Sequence, residues 1–266
     1  MSLLEEIVSR KKAEVAVARK RHSLQDLEGA LPTAPSVRPL TAIRREGAVA
    51  SPGVIAEMKR RSPSRGLIRD PYDPEALAAS YWHSGARALS ILTDGPFFGG
   101  SLGDLSRVRE TPAGEALPLL RKDFVVDPYQ VVESRVAGAD ILLLIVRILP
   151  GELLSELLQL GSSLGLTMLV ETHTEDEVRR ALEAGARVVG VNSRDLDTLK
   201  VDLDRGARLL SGIPPGVIKV AESGLKTPSD YLRMGELGAD FVLVGESFLL
   251  SEDPGRALEV FCGTVD

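Results

Sequence analysis

The sequence predicts an α/β protein, a single closed (β/α)8 barrel preceded by an N-terminal helical extension. Eight short apolar runs alternate with helical patterns from residue 53 onward, which is typical of parallel strands buried on both faces. A Gly-Ala pair followed by a charged residue and an apolar run recurs four times, roughly 50 residues apart. The length of 266 residues suits such a barrel as one domain.

The four repeats favour a closed barrel over an open sheet. Each repeat places a glycine where a helix reverses into a strand, a left-handed position that suits glycine; these are Gly85, Gly138, Gly185 and Gly238. A period near 50 residues corresponds to two βα units, so four repeats predict eight strands. An open doubly wound sheet is the alternative. It usually carries GxGxxG in its first turn, which VIAEMKRRSPSRG (54–66) lacks.

Residues 1–52 are predicted to form a helical extension and connector packed on the barrel, and residues 53–266 the catalytic barrel. The first 30 residues have a helical pattern that opens with a Ser2/Glu5 capping box. Their apolar face is formed by Leu3, Leu4, Ile7, Val8 and Val15. The basic residues Arg10, Lys11, Lys12, Arg19, Lys20 and Arg21 lie largely off this face. We interpret them as a solvated face, with a polyanion-binding helix as the alternative.

The predicted strands begin with a run that follows the proline-rich connector of residues 31–52. They span residues 54–59, 88–93, 117–124, 140–146, 166–171, 188–192, 217–223 and 240–245. A capping residue followed by proline marks the start of several intervening helices; these pairs are Asp73-Pro74, Asp127-Pro128, Thr227-Pro228 and Asp253-Pro254.

Composition excludes several classes of protein. One cysteine and three widely separated histidines argue against a Cys-rich zinc site and a histidine metal site. The net charge of −6 disfavours nucleic acid as the main partner. No apolar run is long enough to span a bilayer, and the N-terminus lacks a signal-peptide core. We expect a cytoplasmic protein without a metal, nucleic-acid or membrane partner, either a monomer or a weak homodimer.

Polar residues follow apolar ones at the carboxyl ends of several predicted strands, where barrel enzymes place their active sites. They are Glu57, Lys59, Lys122, Asp123, Glu171, Asn192 and Glu222. Strand alternation puts Glu57 and Lys59 on the same face as Ile55. Opposite charges crowded in a partly dry mouth shift one another's pKa, so the set predicts an acid–base site. The alternative is that these charges mark where strands meet solvent.

Glycine-containing loops follow the seventh and eighth strands. Phosphate sites in such barrels commonly use backbone N–H groups from these two loops. Ser223 with Gly224, and Gly245 with Glu246, therefore predict a phosphate site. A carboxylate is unfavourable beside phosphate, so we expect only the backbone of Glu246 to face the ligand.

Two further loops border the predicted mouth. The segment after the first strand carries Arg60, Arg61 and Arg65 and is either a lid that supplies positive charge or an exposed basic loop. The segment after the second strand carries Phe98 among glycines. With Phe124, it predicts a flat apolar wall for an aromatic substrate, the alternative being ordinary loop packing.

Six motifs occur together and in order along the chain. They are EMKRRSPSRG (57–66), SILTDGPFFGGS (90–101), LLRKDFVVDPYQ (119–130), LVETHT (169–174), GVNSRDL (190–196) and VAESGL (220–225). Together they resemble the indole-3-glycerol phosphate synthase family over nearly the whole chain. The resemblance implies a TIM barrel that needs no cofactor or metal. It implies a lyase of tryptophan biosynthesis that converts 1-(2-carboxyphenylamino)-1-deoxyribulose 5-phosphate to indole-3-glycerol phosphate, carbon dioxide and water.

The resemblance also implies a role for each matching residue. Lys122 is the general acid of ring closure, and Glu171 is the acid–base group of dehydration. Lys59 pairs with substrate anions, including the phosphate, and assists proton transfer. The remaining implied roles fall into three groups: Glu57, Asn192 and Glu222 line the catalytic site; Arg194, Ser223, Gly224, Gly245 and Glu246 hold the phosphate; Phe98 and Phe124 pack the anthranilate ring.

Two rival functions remain at this stage. A phosphosugar isomerase such as phosphoribosylanthranilate isomerase would share the phosphate loops, but would need neither the helical extension nor the Lys122–Glu171 pair. A non-catalytic barrel that binds a phosphorylated metabolite would tolerate loss of Lys122. A further hypothesis is that the N-terminal helix packs beside the mouth and helps to cover the substrate.

Overall fold

The computed structural model describes residues 2–40 and 51–265, in which eight parallel strands close into one barrel. The strands are β1 Gly53–Met58, β2 Ala88–Leu92, β3 Leu119–Lys122, β4 Ile141–Ile145, β5 Thr167–Thr172, β6 Val188–Asn192, β7 Ile218–Glu222 and β8 Phe241–Val244. Each strand pairs with its neighbours in chain order, and β1 also pairs with β8. The predicted (β/α)8 barrel is therefore confirmed, and the open sheet is excluded.

Helices cover the outside of the barrel and extend its N-terminus. They are α1 Leu3–Arg21, α2 Leu24–Ala30, α3 Pro74–His83, α4 Gly95–Phe98, α5 Leu102–Arg109, α6 Pro112–Ala116, α7 Pro128–Val136, α8 Leu153–Ser163, α9 Glu175–Glu183, α10 Leu203–Gly212, α11 Pro228–Glu236, α12 Glu246–Leu249 and α13 Pro254–Cys262. The other elements of the described residues are the 3₁₀ turns Leu31–Thr33 and Val146–Ile148 and a hairpin pairing Arg61–Ser62 with Gly66–Leu67.

The predicted helix starts and reversals are confirmed. At each predicted capping position with a following proline, the side-chain oxygen accepts a hydrogen bond from a backbone N–H of the first helical turn. The glycines of the four repeats all have left-handed backbone, with φ of 91°, 93°, 89° and 83° in chain order. Each ends a helix and returns the chain to the next strand, as the repeat pattern predicts.

Alternation along the strands separates two apolar layers. Outward side chains pack under the helices, whereas Ile55, Leu169 and Val220 belong to a cluster inside the barrel. Each of these three lies two residues before a glutamate on the same strand. The apolar interior therefore ends in a layer of polar side chains at the carboxyl ends of the strands.

The N-terminal extension contains two helices where the sequence pattern predicts one. The predicted Ser2/Glu5 capping box is present, but α1 ends at Arg21. Ser23 then caps α2 by accepting a hydrogen bond from the Asp26 N–H. A serine with an acidic residue three positions later is itself a helix-start signal, and it breaks the predicted continuous helix.

The extension runs from one end of the barrel to the other. While α1 lies at the mouth, α2 and the following 3₁₀ turn pack on α7. Beyond them, Leu40 is buried in the apolar cluster inside the barrel, and its N–H donates to Thr167 Oγ1 at 3.3 Å. Because Thr167 begins β5, Leu40 seals the end opposite the mouth. The rest of the predicted connector, residues 41–50, lies outside the described residues.

Lys11 is buried, so including it in a solvated basic face is wrong. Its side chain is only 6% exposed, and Nζ lies 2.9 Å from Asp123 Oδ1, 3.0 Å from Asp94 Oδ2 and 2.9 Å from Glu14 Oε2. Burial would lower the pKa of Lys11, but these carboxylates outweigh it and raise that pKa. An ammonium surrounded by carboxylates thus joins α1 to the loops after β2 and β3.

Candidate active site

A cavity of about 730 Å³ opens at the carboxyl ends of the barrel strands. All of the site residues predicted from the sequence line it: Glu57, Lys59, Phe98, Lys122, Phe124, Glu171, Asn192, Arg194, Glu222, Ser223, Gly224, Gly245 and Glu246. The structure therefore brings these positions together around one cavity. The alternative, that strand-end charges merely mark where strands meet solvent, does not account for this convergence.

A buried lysine–glutamate pair occupies the floor of the cavity. Lys122 Nζ, from the end of β3, lies 2.9 Å from Glu171 Oε2, from β5. Burial would lower the pKa of Lys122, but Glu171, Glu222 and Glu57 outweigh it and raise that pKa. Burial would likewise raise the pKa of Glu171, but Lys122 and His173 hold it well below its usual range. Both groups are therefore charged at neutral pH.

A second carboxyl group, that of Glu222, shares the same lysine. Glu222 Oε2 lies 3.7 Å from Lys122 Nζ. Burial and the neighbouring Glu171 carboxylate together raise the pKa of Glu222. Two close carboxylates cannot both ionise cheaply, so the pKa values of the two groups move apart, that of Glu171 downward and that of Glu222 upward. Of the two carboxyl groups, Glu222 therefore holds a proton more readily.

Two glycines leave room for the carboxyl groups of Glu57 and Glu222. A Cβ on Gly190 would lie 2.1 Å from Glu222 Oε1, and a Cβ on Gly245 would lie 2.6 Å from Glu57 Oε1. Glu57 accepts a hydrogen bond from Lys59. Burial would raise the pKa of Glu57, but Lys59 and Lys122 outweigh it and lower that pKa. Because these two positions carry no side chain, both carboxyl groups can occupy their observed places.

The loops after β7 and β8 form the other side of the cavity. Ser223 has φ of 65° and Gly224 has φ of 83°, and a left-handed backbone at a serine costs on the order of 1 kcal/mol. Gly224 precedes the cap of α11, and Gly245 is the N-cap residue of α12. Gly224 therefore lies outside the helix ladder. Gly245 contributes its carbonyl to α12, and the N–H groups of the first turn have no partner within that helix and can reach a ligand.

The side chain of Glu246 pairs with two arginines of the cavity lining, and the expectation that only its backbone faces the ligand stays a prediction. Its carboxylate lies 3.6 Å from Arg65 NH1 and 4.0 Å from Arg194 NH2. The side chain is 26% exposed. Two guanidinium groups near one carboxylate offset the repulsion that the sequence argument anticipated. The sequence leaves two alternatives for the segment that carries Arg65, a lid or an exposed basic loop. In the structure, Arg65 lines the cavity.

Apolar side chains line one wall of the cavity. The rings of Phe98 and Phe124 lie 6.1 Å apart between centroids, with a 36° angle between their planes. Phe98 belongs to the short helix α4 and not to an irregular loop. Leu3, Leu4 and Ile7 of α1 line the same cavity, so the N-terminal helix lies at the mouth.

Comparison with known proteins agrees with this geometry. A family model described as indole-3-glycerol phosphate synthase matches residues 4–261. The chain belongs to the indole-3-glycerol phosphate synthase family. An indole-3-glycerol phosphate synthase of Parafrankia sp. (strain EAN1pec) is 49% identical over 254 residues, covering 96% of this chain and 92% of the relative. That of Mycobacterium sp. (strain KMS) is 48% identical over 258 residues, covering 97% and 92%.

Solved structures of other proteins share the fold. A 3-hexulose-6-phosphate synthase superposes with a TM-score of 0.63 at 13% identity, covering 80% of this chain and all of that one. A thiamine phosphate pyrophosphorylase from Pyrococcus furiosus superposes with a TM-score of 0.59 at 15% identity, covering 81% and 96%. At this identity the likeness concerns the barrel alone.

Membership of the indole-3-glycerol phosphate synthase family confirms the predicted enzyme class. The chain is a carboxy-lyase of tryptophan biosynthesis, so neither the isomerase nor the non-catalytic barrel is supported. Across residues 2–40 and 51–265, no helix is both long and apolar enough to cross a membrane.

No functional role for the groups behind Glu171 follows from the sequence. His173 lies next to that carboxylate and also contacts Glu177. In the sequence, His173 bears only on the argument against a histidine metal site, and Glu177 only on a helix start at Thr174. The place of His173 within the LVETHT motif (169–174), two residues after Glu171, was the one available signal.

Proposed function

We propose that this cavity converts 1-(2-carboxyphenylamino)-1-deoxyribulose 5-phosphate to indole-3-glycerol phosphate, carbon dioxide and water. The observation that supports this most is the pairing of Lys122 Nζ with Glu171 Oε2 at 2.9 Å, beside an apolar wall and opposite two glycine loops. The substrate is a phosphorylated sugar chain joined to an aromatic acid. Its phosphate matches the glycine loops, and its aromatic ring matches the apolar wall. One proton is consumed overall, because a carboxylate leaves as neutral carbon dioxide and a hydroxyl leaves as water.

Lys122 is the general acid of ring closure in this proposal. The ring carbon that bears the carboxylate attacks the ketone carbon, and the new carbon–carbon bond pushes an electron pair onto the carbonyl oxygen. The Lys122 ammonium gives that oxygen a proton. The carboxylate then leaves as carbon dioxide, and its electron pair restores the ring.

Glu171 serves the dehydration that follows. The new hydroxyl must leave as water, while a proton is removed from the neighbouring position to form the indole double bond. An ionised carboxylate accepts that proton, and an ammonium protonates the departing oxygen. We assign acceptance to Glu171. Because Lys122 has already given its proton to the carbonyl oxygen, Lys59 assists by supplying the proton of the departing water. Glu171 and solvent then return one proton each to the two lysines. Glu57, Asn192 and Glu222 line the reacting centre and position the lysines and substrate.

The two ends of the substrate are held apart from the reacting centre. We assign the phosphate to Lys59, Arg194, Ser223, Gly224, Gly245 and the backbone of Glu246, and the anthranilate ring to Phe98 and Phe124. Anchoring both ends lowers the entropic cost of bringing the reacting carbons together. Because side chains supply every proton donor and acceptor in these steps, the proposal requires no cofactor or metal.

The proposal extends to partners and location. We infer a cytoplasmic enzyme, monomeric or weakly dimeric, that acts on a small molecule without a nucleic-acid or membrane partner. The net charge of −6 supports the absence of a nucleic-acid partner.

Turnover of the carboxyphenylamino substrate, followed by indole fluorescence, tests the reaction. Lys122→Ala and Glu171→Gln should each lower kcat by at least about 100-fold, the scale of general acid–base catalysis. Lys20→Ala and Glu110→Gln, at exposed positions, are the matched controls and should stay close to wild type. A wild-type protein that forms no indole product would contradict the proposal.

A further inference from the structure

His173 is a buried histidine that the proposed reaction does not use. It follows β5 directly, has 0% exposure and is not part of the cavity lining. Its Nε2 lies 3.3 Å from Glu171 Oε1, and its Nδ1 lies 3.2 Å from Glu177 Oε2. One imidazole therefore lies between two carboxylates, one of which belongs to the proposed catalytic pair.

Glu177 is itself held in place. Its Oε2 accepts the backbone N–H of His173 at 2.6 Å, and its Oε1 accepts from Arg147 Nε at 3.0 Å. The Glu177 N–H in turn donates to the capping Thr174 side chain. These bonds fix the carboxylate on the far side of the imidazole, so the ring has little freedom to turn away from Glu171.

The surroundings of His173 favour an imidazolium. A neutral imidazole presents an N–H to only one carboxylate, whereas the cation presents one to each. The ring is hydrogen-bonded to Glu177 through Nδ1, and its Nε2 approaches Glu171 at ion-pair distance. Burial would lower the pKa of His173, but Glu171 and Glu177 outweigh it and raise that pKa to about 9.

Charged groups of alternating sign run through the site. They come from the 3₁₀ turn after β4, from α9, from β5 and its end, and from β3, in the order Arg147, Glu177, His173, Glu171 and Lys122. Glu222 of β7 lies beyond Lys122, and its carboxyl group holds a proton more readily than that of Glu171. A buried ion is tolerated only with partners, and the chain gives each member a neighbour of opposite sign.

The two oxygens of Glu171 have different partners. Oε1 faces His173 and accepts from Asn192 Nδ2 at 3.2 Å, whereas Oε2 accepts from Lys122 at 2.9 Å. We propose that His173 is a positioning residue for Glu171: its imidazolium, clamped by Glu177, engages Oε1 from behind and keeps Oε2 ionised and directed at Lys122 and the substrate. This inference rests on the proposed role of Glu171 in dehydration.

The protonation state can be measured in the wild-type protein. Nitrogen NMR of ¹⁵N-histidine-labelled protein at pH 7.5 should show one histidine with both ring nitrogens protonated. His22→Gln and His83→Gln, both at exposed positions, identify the other two signals. If His173 is neutral at that pH, the inference is overturned, whether or not the enzyme forms the indole product.

Kinetics then separate positioning from a structural role. His173→Gln keeps an N–H donor but removes the charge, so the pKa of Glu171 should rise. The acid limb of the kcat/KM profile should therefore move to higher pH, with kcat about 10- to 100-fold lower, the usual cost of losing such a supporting partner. KM should stay within about threefold, because His173 does not reach the cavity. His83→Gln is the matched control.

Each outcome decides the inference. A folded His173→Gln variant with unchanged kcat and pH profile overturns it. If this variant fails to fold, Glu177→Gln replaces it: a smaller shift of the acid limb in the same direction supports the inference, and an unchanged profile overturns it. A wild-type enzyme that forms no indole product overturns the proposed function and this role with it, whereas unchanged variant profiles in an active enzyme overturn the positioning role alone.

Discussion

Lys11 Nζ lies 2.9 Å from Asp123 Oδ1, and Asp123 is the residue that follows Lys122 in the chain. The N-terminal helix is therefore joined by an ion pair to the strand end that carries the proposed general acid. Arg121 also bonds to Asp123, at 3.0 Å from its other carboxylate oxygen. Burial would raise the pKa of Asp123, but Arg121 and Lys11 outweigh it and lower that pKa to about 2.

Lys11→Met should destabilise the protein. The substitution keeps the length of the side chain but leaves Asp94 and Asp123 buried without their shared cation, and breaking a buried ion pair in this way costs about 3–5 kcal/mol. Urea denaturation measures the loss. Lys12→Met, at an exposed position, is the control. Equal midpoints for the two variants would contradict a role for Lys11 in docking α1.

Ile7→Ser should weaken substrate binding. Ile7 lines the cavity from α1 and is 4% exposed, so a hydroxyl there disturbs the apolar cover of the mouth. We expect KM to rise at least about threefold, since a buried aliphatic side chain contributes about 1.5–3 kcal/mol. Val17→Ser on the exposed face of the same helix provides the comparison. A KM equal to that of wild type would show that α1 does not cover the substrate.

Gly190→Ala should impair turnover without unfolding the barrel. The added methyl would lie 2.1 Å from Glu222 Oε1, so the carboxyl group must move, and a displacement near 1 Å in a catalytic site can cost about 100-fold in rate. Gly212→Ala meets no atom within 4 Å and is the matched control. Steady-state kinetics and a thermal melt of both variants separate turnover from stability; similar kcat values would refute the packing argument.

Glu246→Gln should tighten phosphate binding. The carboxylate lies near Arg65 and Arg194, where it competes with an incoming phosphate for the same cations. Partly exposed pairs contribute about 0.2–1 kcal/mol, so we expect about a twofold to fivefold lower Kd for inorganic phosphate. Calorimetric titration measures it, with Glu110→Gln as control. Weaker binding would mean that the carboxylate organises the arginines more than it repels the anion.

Strand alternation made much of the fold and site predictable. Glu57, Glu171 and Glu222 each follow an inward apolar residue by two positions, and parallel strands bring their carboxyl ends to one edge. The break at Ser23 was also visible in principle, because it carries a helix-start pattern of its own. These features depend on residues close together in the chain.

Other features depend on pairings across the chain. Lys11 lies off the apolar face of its helix, and only Asp94 and Asp123 make its burial possible. The Glu246 carboxylate was expected to avoid an anion site, but arginines from two other loops compensate its charge. His173 sits between two glutamates, and only the folded structure distinguishes it from an ordinary buried histidine.

The path of the extension limits how this protein can be re-engineered. The N-terminal extension lies at the mouth, where Ile7 and Lys11 hold it, and closes the opposite end of the barrel with Leu40. Trimming the chain back to its first strand would open both ends at once and admit water into the barrel axis. A chimera that exchanges this segment between homologues must therefore also exchange the carboxylates that pair with Lys11 and the residues that pack around Leu40.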